Sequence, residues 1–238
     1  TENHIFSKLK WFSKQLENVE HFFVQDNISF KLLQEIGVKK IIISGDTKYD
    51  SVLYNSIVDL PLIKEFSKKK KTIIFGSTWP KDESLILYFI KNNTNYNYII
   101  APHEIDNVKY IKRKTNGILY SKINSKNILN NNLIIIDNIG TLSSIYRYGK
   151  IAYIGGGFGK GIHNILEAAV FGLPIIFGPS YKNSIEAKEL IKNKGAISIS
   201  NYKELQAAIK VFANFNTKIN TSYIKKNKGA TKKIIDKI

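Results

Sequence analysis

KIAYIGGGFGKGIHNILEAAVFGLPIIFG, residues 150–178, sets two short β-branched runs on either side of a glycine-rich loop and a helix-like segment. A buried strand, a loop, a crossover helix and a second buried strand make the repeating unit of a parallel sheet. The rhythm extends both ways from this stretch. HFFV (21–24), KKIIIS (39–44), TIIFG (72–76), YIIA (98–101), LIIID (133–137) and AISIS (196–200) read as strands, and residues 29–36 as a helix. KDESLILYFIKN, TLSSIYRYG, NILEAAVFG, SIEAKELIKNKG and YKELQAAIKVFA have helical length and pattern. The chain therefore reads as a doubly wound, Rossmann-like α/β protein with helices on both faces of a parallel sheet.

Residues 46–66 interrupt the rhythm with a polar GDTKYD turn and a weaker helix, and the lysine run SKKKK (67–71) precedes TIIFG. One α/β unit thus ends near Tyr49 and a new sheet starts near Thr72. The opening segment puts Ile5, Leu9, Phe12, Leu16 and Val19 on one helical stripe, with Lys8, Lys10 and Lys14 off it. A helix packed on its own sheet has this pattern, and so does a membrane-surface helix.

With 238 residues and 43% hydrophobic content the chain can bury a substantial core. The absence of cysteine excludes disulfides, thiol catalysis and zinc–thiolate sites together. Methionine is also absent and the chain opens on Thr1, the marks of a processed chain or a fragment. No run reaches the roughly 18 apolar residues that span a bilayer. The net charge of +17, from 36 basic and 19 acidic residues, favours nucleic acid, acidic headgroups or phosphorylated small molecules as partners. The lysines also sit among many asparagines and isoleucines, as an AT-rich genome would produce without any function behind the charge.

In an open α/β sheet ligands gather at the carboxyl ends of the strands. Those ends carry GSTW (76–79), APHE (101–104), DNIGT (137–141), GGGFGKGIHN (155–164) and FGPSY (177–181). The glycine-rich loop is neither a Walker A loop, since Lys160 is followed by Gly161, nor a GxGxxG fingerprint. Its amides and the N-terminus of the following helix form a candidate anion site, and a tight strand–helix turn is the structural alternative. Asn164 and Glu167 have the spacing of a capping box; the functional alternative has Glu167 accepting from a ribose diol. Ser77 and Thr78 precede Pro80, Asp82 and Glu83, as at a helix start, and His103 follows Pro102 at a strand end. HExxH, Asp-x-Asp and Gly-x-Ser-x-Gly patterns are missing, as is any RNP-like aromatic motif, which leaves nucleic acid a minor reading.

FGSTWPKDE, IIAPHE, IDNIGTLSSIY and AYIGGGFGKGIHNILEAAVFGLPIIFGP, in this order, resemble the 3-deoxy-D-manno-octulosonic acid (Kdo) transferases of lipid A biosynthesis. The resemblance extends from FFVQDNISFKLLQEIGVKKIIISGDTKYD to the final NKGATKKII and covers the family's C-terminal portion. It implies a GT-B fold, with residues 1–55 ending an acceptor-side lobe and residues 56–238 forming the donor-binding domain. It also implies CMP-Kdo as donor, a lipid A precursor as acceptor, no cofactor or metal, and peripheral action at the cytoplasmic face of the inner membrane. Carried over residue by residue, the CMP contacts fall on Pro102, His103, Ile139, Gly140, Thr141, Asn164, Ile165, Leu166 and Glu167. Lys48, Ser77, Thr78, Gly157, Gly159, Lys160 and Gly161 fall to phosphate and Kdo. Two positions depart from the family pattern: the usual Pro-Arg-His is Pro102-His103-Glu104, and the acidic residue after the glycine turn is Thr141. The family's general base is a glutamate of the N-terminal lobe, so no catalytic residue is assigned here. A GT-B enzyme using a UDP-sugar and a non-catalytic anion binder are the competing readings.

Overall fold

A computed structural model describes residues 16–54 and 58–238, apart from the side chain of Glu17. The chain divides into two compact units, whose described residues are 16–53 with 225–238 and, in the larger, 54 and 58–224. The stripe expected from Ile5 to Val19 lies mostly outside the described residues; Leu16–Asn18 is one 3-10 turn and Val19 is exposed.

The smaller unit begins with β1 (Phe22–Val24), α1 (Asn27–Glu35), β2 (Ile41–Ile43) and α2 (Lys48–Tyr54). Asp26 starts α1 by accepting a hydrogen bond from the Ser29 amide at 2.7 Å. The strands pair in parallel with Phe22 opposite Ile41, so α1 is their crossover. Part of the polar GDTKYD stretch, expected as a turn, is the first turn of α2, because Asp46 accepts from the Lys48 amide at 2.9 Å.

The larger unit contains α3 (Pro61–Lys69), β3 (Thr72–Thr78), α4 (Pro80–Asn92), β4 (Asn97–Pro102), α5 (Asn107–Lys114), β5 (Ile118–Leu119) and β6 (Leu133–Ile135). It continues with α6 (Leu142–Ile145), β7 (Ile151–Ile154), α7 (Leu166–Ala169), β8 (Ile175–Phe177), α8 (Ile185–Lys192), β9 (Ala196–Ser198), α9 (Tyr202–Val211) and all but the last three residues of α10 (Lys218–Asn227). All seven strands are parallel, in the order β5-β6-β4-β3-β7-β8-β9. The order reverses between β3 and β7, which places the crevice of this sheet at their carboxyl ends.

Alternate residues of the central strands divide the core between two faces. Ile73, Phe75, Tyr98, Ile100, Ile151 and Tyr153 pack with α4, α5 and α9, while helices also cover the opposite face. Two expected helices are single turns, α6 and α7. The α7 turn tightens as soon as it forms: the amides of Phe171 and Gly172 donate to Ala168 and Ala169, three residues back, and Gly172 turns the chain at φ +75°.

The last helix, α11 (Ala230–Ile235), belongs to the smaller unit. Residues 225–238 thus group with the N-terminal segment instead of with 56–224. The buried Asp50 of α2 reaches the start of α11, accepting from the amides of Gly229 at 2.6 Å and Thr231 at 2.8 Å.

Candidate functional site

The glycine loop leaves the end of β7 beside β3, at the point where strand order reverses. A side chain on Gly155 would lie 2.1 Å from the Ser77 carbonyl, and one on Gly157 would lie 2.5 Å from the Gly178 amide. Backbone-to-backbone packing therefore explains both glycines. Ser77 itself sits in the left-handed region at φ 51°, beside the irregularity where β3 skips a residue against β4. A serine held there is strained backbone at the edge of the crevice.

Asp82 ties this corner together. It is fully buried in the first turn of α4; one oxygen accepts from the amides of Trp79 at 3.0 Å and Gly156 at 2.9 Å, and the other from the Tyr153 hydroxyl at 2.6 Å. The loop then closes on itself. Gly159 and Gly161 donate to the Gly156 carbonyl, His163 to Gly155, and Gly155 to Gly76. The amides of Gly159 and Gly161, expected on phosphate, are thus already engaged, and Gly157 is pressed against Gly178. Phe158, Lys160 and Ile162 keep amides with no acceptor among the described residues, and the Lys160 side chain is exposed.

At the loop exit, Asn164 Oδ1 accepts from the Leu166 amide at 3.1 Å, and its amide group donates to Glu167 Oε1 at 3.1 Å. Glu167 therefore braces the capping side chain and does not close the expected capping box. Burial raises its pKa and the Asn164 amide opposes the rise. Ile165 and Leu166 are buried in the core, so neither presents a side chain to the crevice. A one-turn α7 also carries little dipole, so the expected helix contribution to anion binding falls away. Loop amides and Lys160 remain.

The neighbouring strand ends bring three rings together. The Trp79 indole and the half-buried His163 imidazole are almost parallel, 6° apart, and joined by Trp79 Nε1–H donating to His163 Nε2 at 2.7 Å. His103, exposed after β4, stacks over both, with centroids 4.6 Å from the indole and 4.3 Å from the imidazole. Burial, then the proximity of His103, lowers the pKa of His163, against a weaker pull from Asp82. Pro102, His103, Ser77 and Thr78 thus meet at one place. Ile139, Gly140 and Thr141 lie after β6, two strands from β3 on the same edge; Ile139 is exposed and Gly140 has φ +90°. Lys48 belongs to the smaller unit, where it pairs with Asp46 at 3.6 Å.

In the sequence, Trp79 and His163 lie unmarked within the strand-end stretches GSTW and GGGFGKGIHN, and Asp82 lies at a helix start. Their proximity depends on β4, β3 and β7 being adjacent, which only the strand order reveals. Glu83, one residue on, is 1% exposed; Thr78 Oγ1 donates to its Oε1 at 3.2 Å, while Oε2 has no hydrogen-bond partner among the described residues. Burial pushes its pKa up to about 7, the Thr78 hydroxyl opposes this, and Asp82 and Glu104 add to it. Among the described residues no cluster of three His, Asp or Glu residues is placed to hold a metal ion. A cavity of about 200 Å³, bordered by Lys71, Tyr96, Lys150 and Phe212, opens at the amino ends of β3 and β7, the far end of the sheet.

Comparison with known proteins gives a consistent relation. No protein-family model matches the chain. It is 30% identical over 244 residues to a Kdo transferase of Rickettsia prowazekii, covering 95% of this chain and 52% of that protein. The corresponding transferase of Rickettsia bellii is 32% identical over 205 residues, with 82% and 49% covered. The chain thus spans about half the length of the curated relatives it matches. Among solved structures, the C-terminal CMP-Kdo binding domain of WaaA from Acinetobacter baumannii superposes with a TM-score of 0.58 at 16% identity, over 71% of this chain and 98% of that domain. Anabaena Alr3699/HepE in complex with UDP gives 0.54 at 11% identity, over 100% and 69%. The fold is that of the GT-B glycosyltransferases, as the motif order implied.

Proposed function

We infer that this chain is the donor-nucleotide half of a Kdo transferase, one that moves Kdo from CMP-Kdo to the lipid A precursor lipid IVA in lipopolysaccharide biosynthesis. The observation that carries the reading is the relation to Kdo transferases along 95% of the chain. The site gives it a physical basis. Lys160 and the amides of Phe158, Lys160 and Ile162 stand at the crevice, where an anionic leaving group gains most from fixed donors. Asn164 orients Glu167, whose Oε2 is left for ribose hydroxyls, and the 139–141 turn borders the same edge.

In this reading the chain holds CMP and stabilises the charge that develops on its phosphate as the anomeric bond breaks. The acceptor hydroxyl loses its proton to a carboxylate outside the residues assigned here, and attack from the opposite face inverts the anomeric centre. Charge neutralisation falls to amides and lysine, with no cofactor called for. Action at the cytoplasmic face of the inner membrane would be peripheral; among the described residues no helix is long and apolar enough to cross a bilayer.

Calorimetric titration with CMP and UDP tests this directly. CMP is expected to bind at least tenfold more tightly than UDP, and Glu167→Ala to weaken CMP by about tenfold, or ~1.4 kcal/mol. The likeness to the UDP complex of HepE makes a UDP-sugar enzyme the second reading, favoured if UDP binds better. The 238-residue chain alone is expected to bind without catalysing transfer; transfer by the chain alone would overturn its assignment as one half of an enzyme.

A further inference from the structure

We propose that His163 is a tautomer-locked hydrogen-bond donor, presenting Nδ1–H to an anionic oxygen in the crevice, and that Trp79 is the positioning residue that sets the lock. The proposal rests on the nucleotide-sugar reading only for the identity of that anion, a phosphate or carboxylate of the donor.

The chemistry of the pair dictates the tautomer. An indole N–H can only donate, so the ring nitrogen it meets must carry a lone pair. Trp79 Nε1 lies 2.7 Å from His163 Nε2, within hydrogen-bond distance, and the two rings are nearly parallel. Neutral imidazole has one proton, and it must then reside on Nδ1. The backbone fixes which edge faces outward. A side chain built on Gly156 would meet His163 Cδ2 at 3.2 Å, so the Cδ2 edge rests on the loop and the Nδ1 edge turns away from it. Nδ1 makes no hydrogen bond among the described residues. His103 over the ring and burial around it both disfavour a second proton, so the donor stays neutral while remaining directional.

Trp79 is itself held in place at both ends. Its amide donates to Asp82, the carboxylate that also takes the Gly156 amide, and His103 covers its indole. One buried carboxylate thus sets the loop and the ring that polarises the loop's histidine. An arginine would also meet an anion here but would bring full charge. A neutral Nδ1–H supplies direction and leaves charge compensation to Lys160.

Nitrogen NMR of 15N-histidine-labelled protein near pH 7.5 reads the tautomer without any ligand. Wild type is expected to show Nδ1 protonated and Nε2 unprotonated for His163, and Trp79→Phe a mixture. Inorganic phosphate and CMP should each shift the Nδ1 resonance. His163→Asn, whose amide can stand near Nδ1, should keep CMP affinity within about threefold, whereas His163→Leu should lose about tenfold. Both variants must retain the wild-type amide spectrum elsewhere; if His163→Leu does not, the Asn variant and the Nδ1 shift decide. An Nε2–H tautomer in wild type overturns the lock. Undiminished CMP binding by His163→Leu overturns the contact and leaves the nucleotide reading standing. If phosphate shifts Nδ1 but CMP does not bind, the nucleotide reading fails and the anion donor stands. No shift with either ligand overturns the donor role.

Discussion

Gly155 has no room for even a methyl group, because the Ser77 carbonyl and Thr78 Cα would lie 2.1 and 2.6 Å from it. These are backbone atoms of a central strand, so neither can turn aside as a side-chain tip would. Gly155→Ala is expected to cost about 2–3 kcal/mol in urea unfolding, whereas Gly159→Ala, with its nearest atom at 3.7 Å, should cost less than about 1 kcal/mol. Glu83 gives a residue-scale prediction in pH. Its folded pKa of about 7 lies above the value of an unfolded glutamate, so its contribution to stability is fully present below that ordinary value. It is lost as pH rises from there through about 7, as burial resists the ionisation that the unfolded chain accepts. Glu83→Gln, which keeps an acceptor for Thr78, should therefore be about 2–3 kcal/mol more stable than wild type at pH 8 relative to their difference at pH 4. Parallel pH–stability curves for the two proteins would refute this.

At the scale of elements, the C-terminal helix α11 depends on a carboxylate 179 positions before Gly229. Its own N-cap residue is a glycine at φ +106° with no side chain to offer, so Asp50 supplies both acceptor oxygens. Burial opposes ionisation of Asp50, but the amides of Thr231, Gly229 and Ala230 and the Thr231 hydroxyl together outweigh it and hold the pKa low. Stability from this contact is present above the ordinary aspartate range and fades as pH falls through the folded value. Asp50→Ala should lower stability by about 1–2 kcal/mol and speed hydrogen exchange at Gly229 and Thr231 before the rest of the chain. Nothing near Gly229 in the sequence signals this cap, since the acceptor comes from a distant helix. The strands were far more legible: TIIFG, YIIA, IAYI and PIIFG are buried on both faces, so apolar runs had no competing environment. The two-residue β5 carried too little pattern to be read. The helix in NILEAAVFG was over-read, because Gly172 and the three-residue back-bonds stop it after one turn. Within the site, Asn164 and Glu167 were legible as a local pair, while the Trp79–His103–His163 stack required the lateral order of three strands.

Across the whole molecule, the charge of +17 raises a question that composition alone leaves open: whether it is cancelled locally. In the run before β3 it is not. Lys69, Lys70 and Lys71 donate to the carbonyls of Leu129, Thr94 and Ala213, which satisfies hydrogen bonds without neutralising charge. An ammonium on a carbonyl still projects its field, and over a surface such fields attract anionic headgroups within roughly 10 Å at 0.1 M salt. For the proposed function, that attraction would concentrate the protein where a phosphorylated lipid acceptor lies. Sedimentation with phosphatidylglycerol-containing vesicles is expected to pull the chain down at 50 mM salt and release most of it by about 0.5 M, with neutral phosphatidylcholine vesicles binding little. Replacing Lys69, Lys70 and Lys71 by Gln should reduce the bound fraction several-fold at intermediate salt and leave CMP affinity unchanged, because these residues stand at the amino end of the sheet and the crevice at the other. Failure to bind anionic vesicles even at low salt would mean that the lysines record compositional bias. Equal attraction to unrelated DNA, with no preference among nucleotides, would instead favour a general polyanion binder.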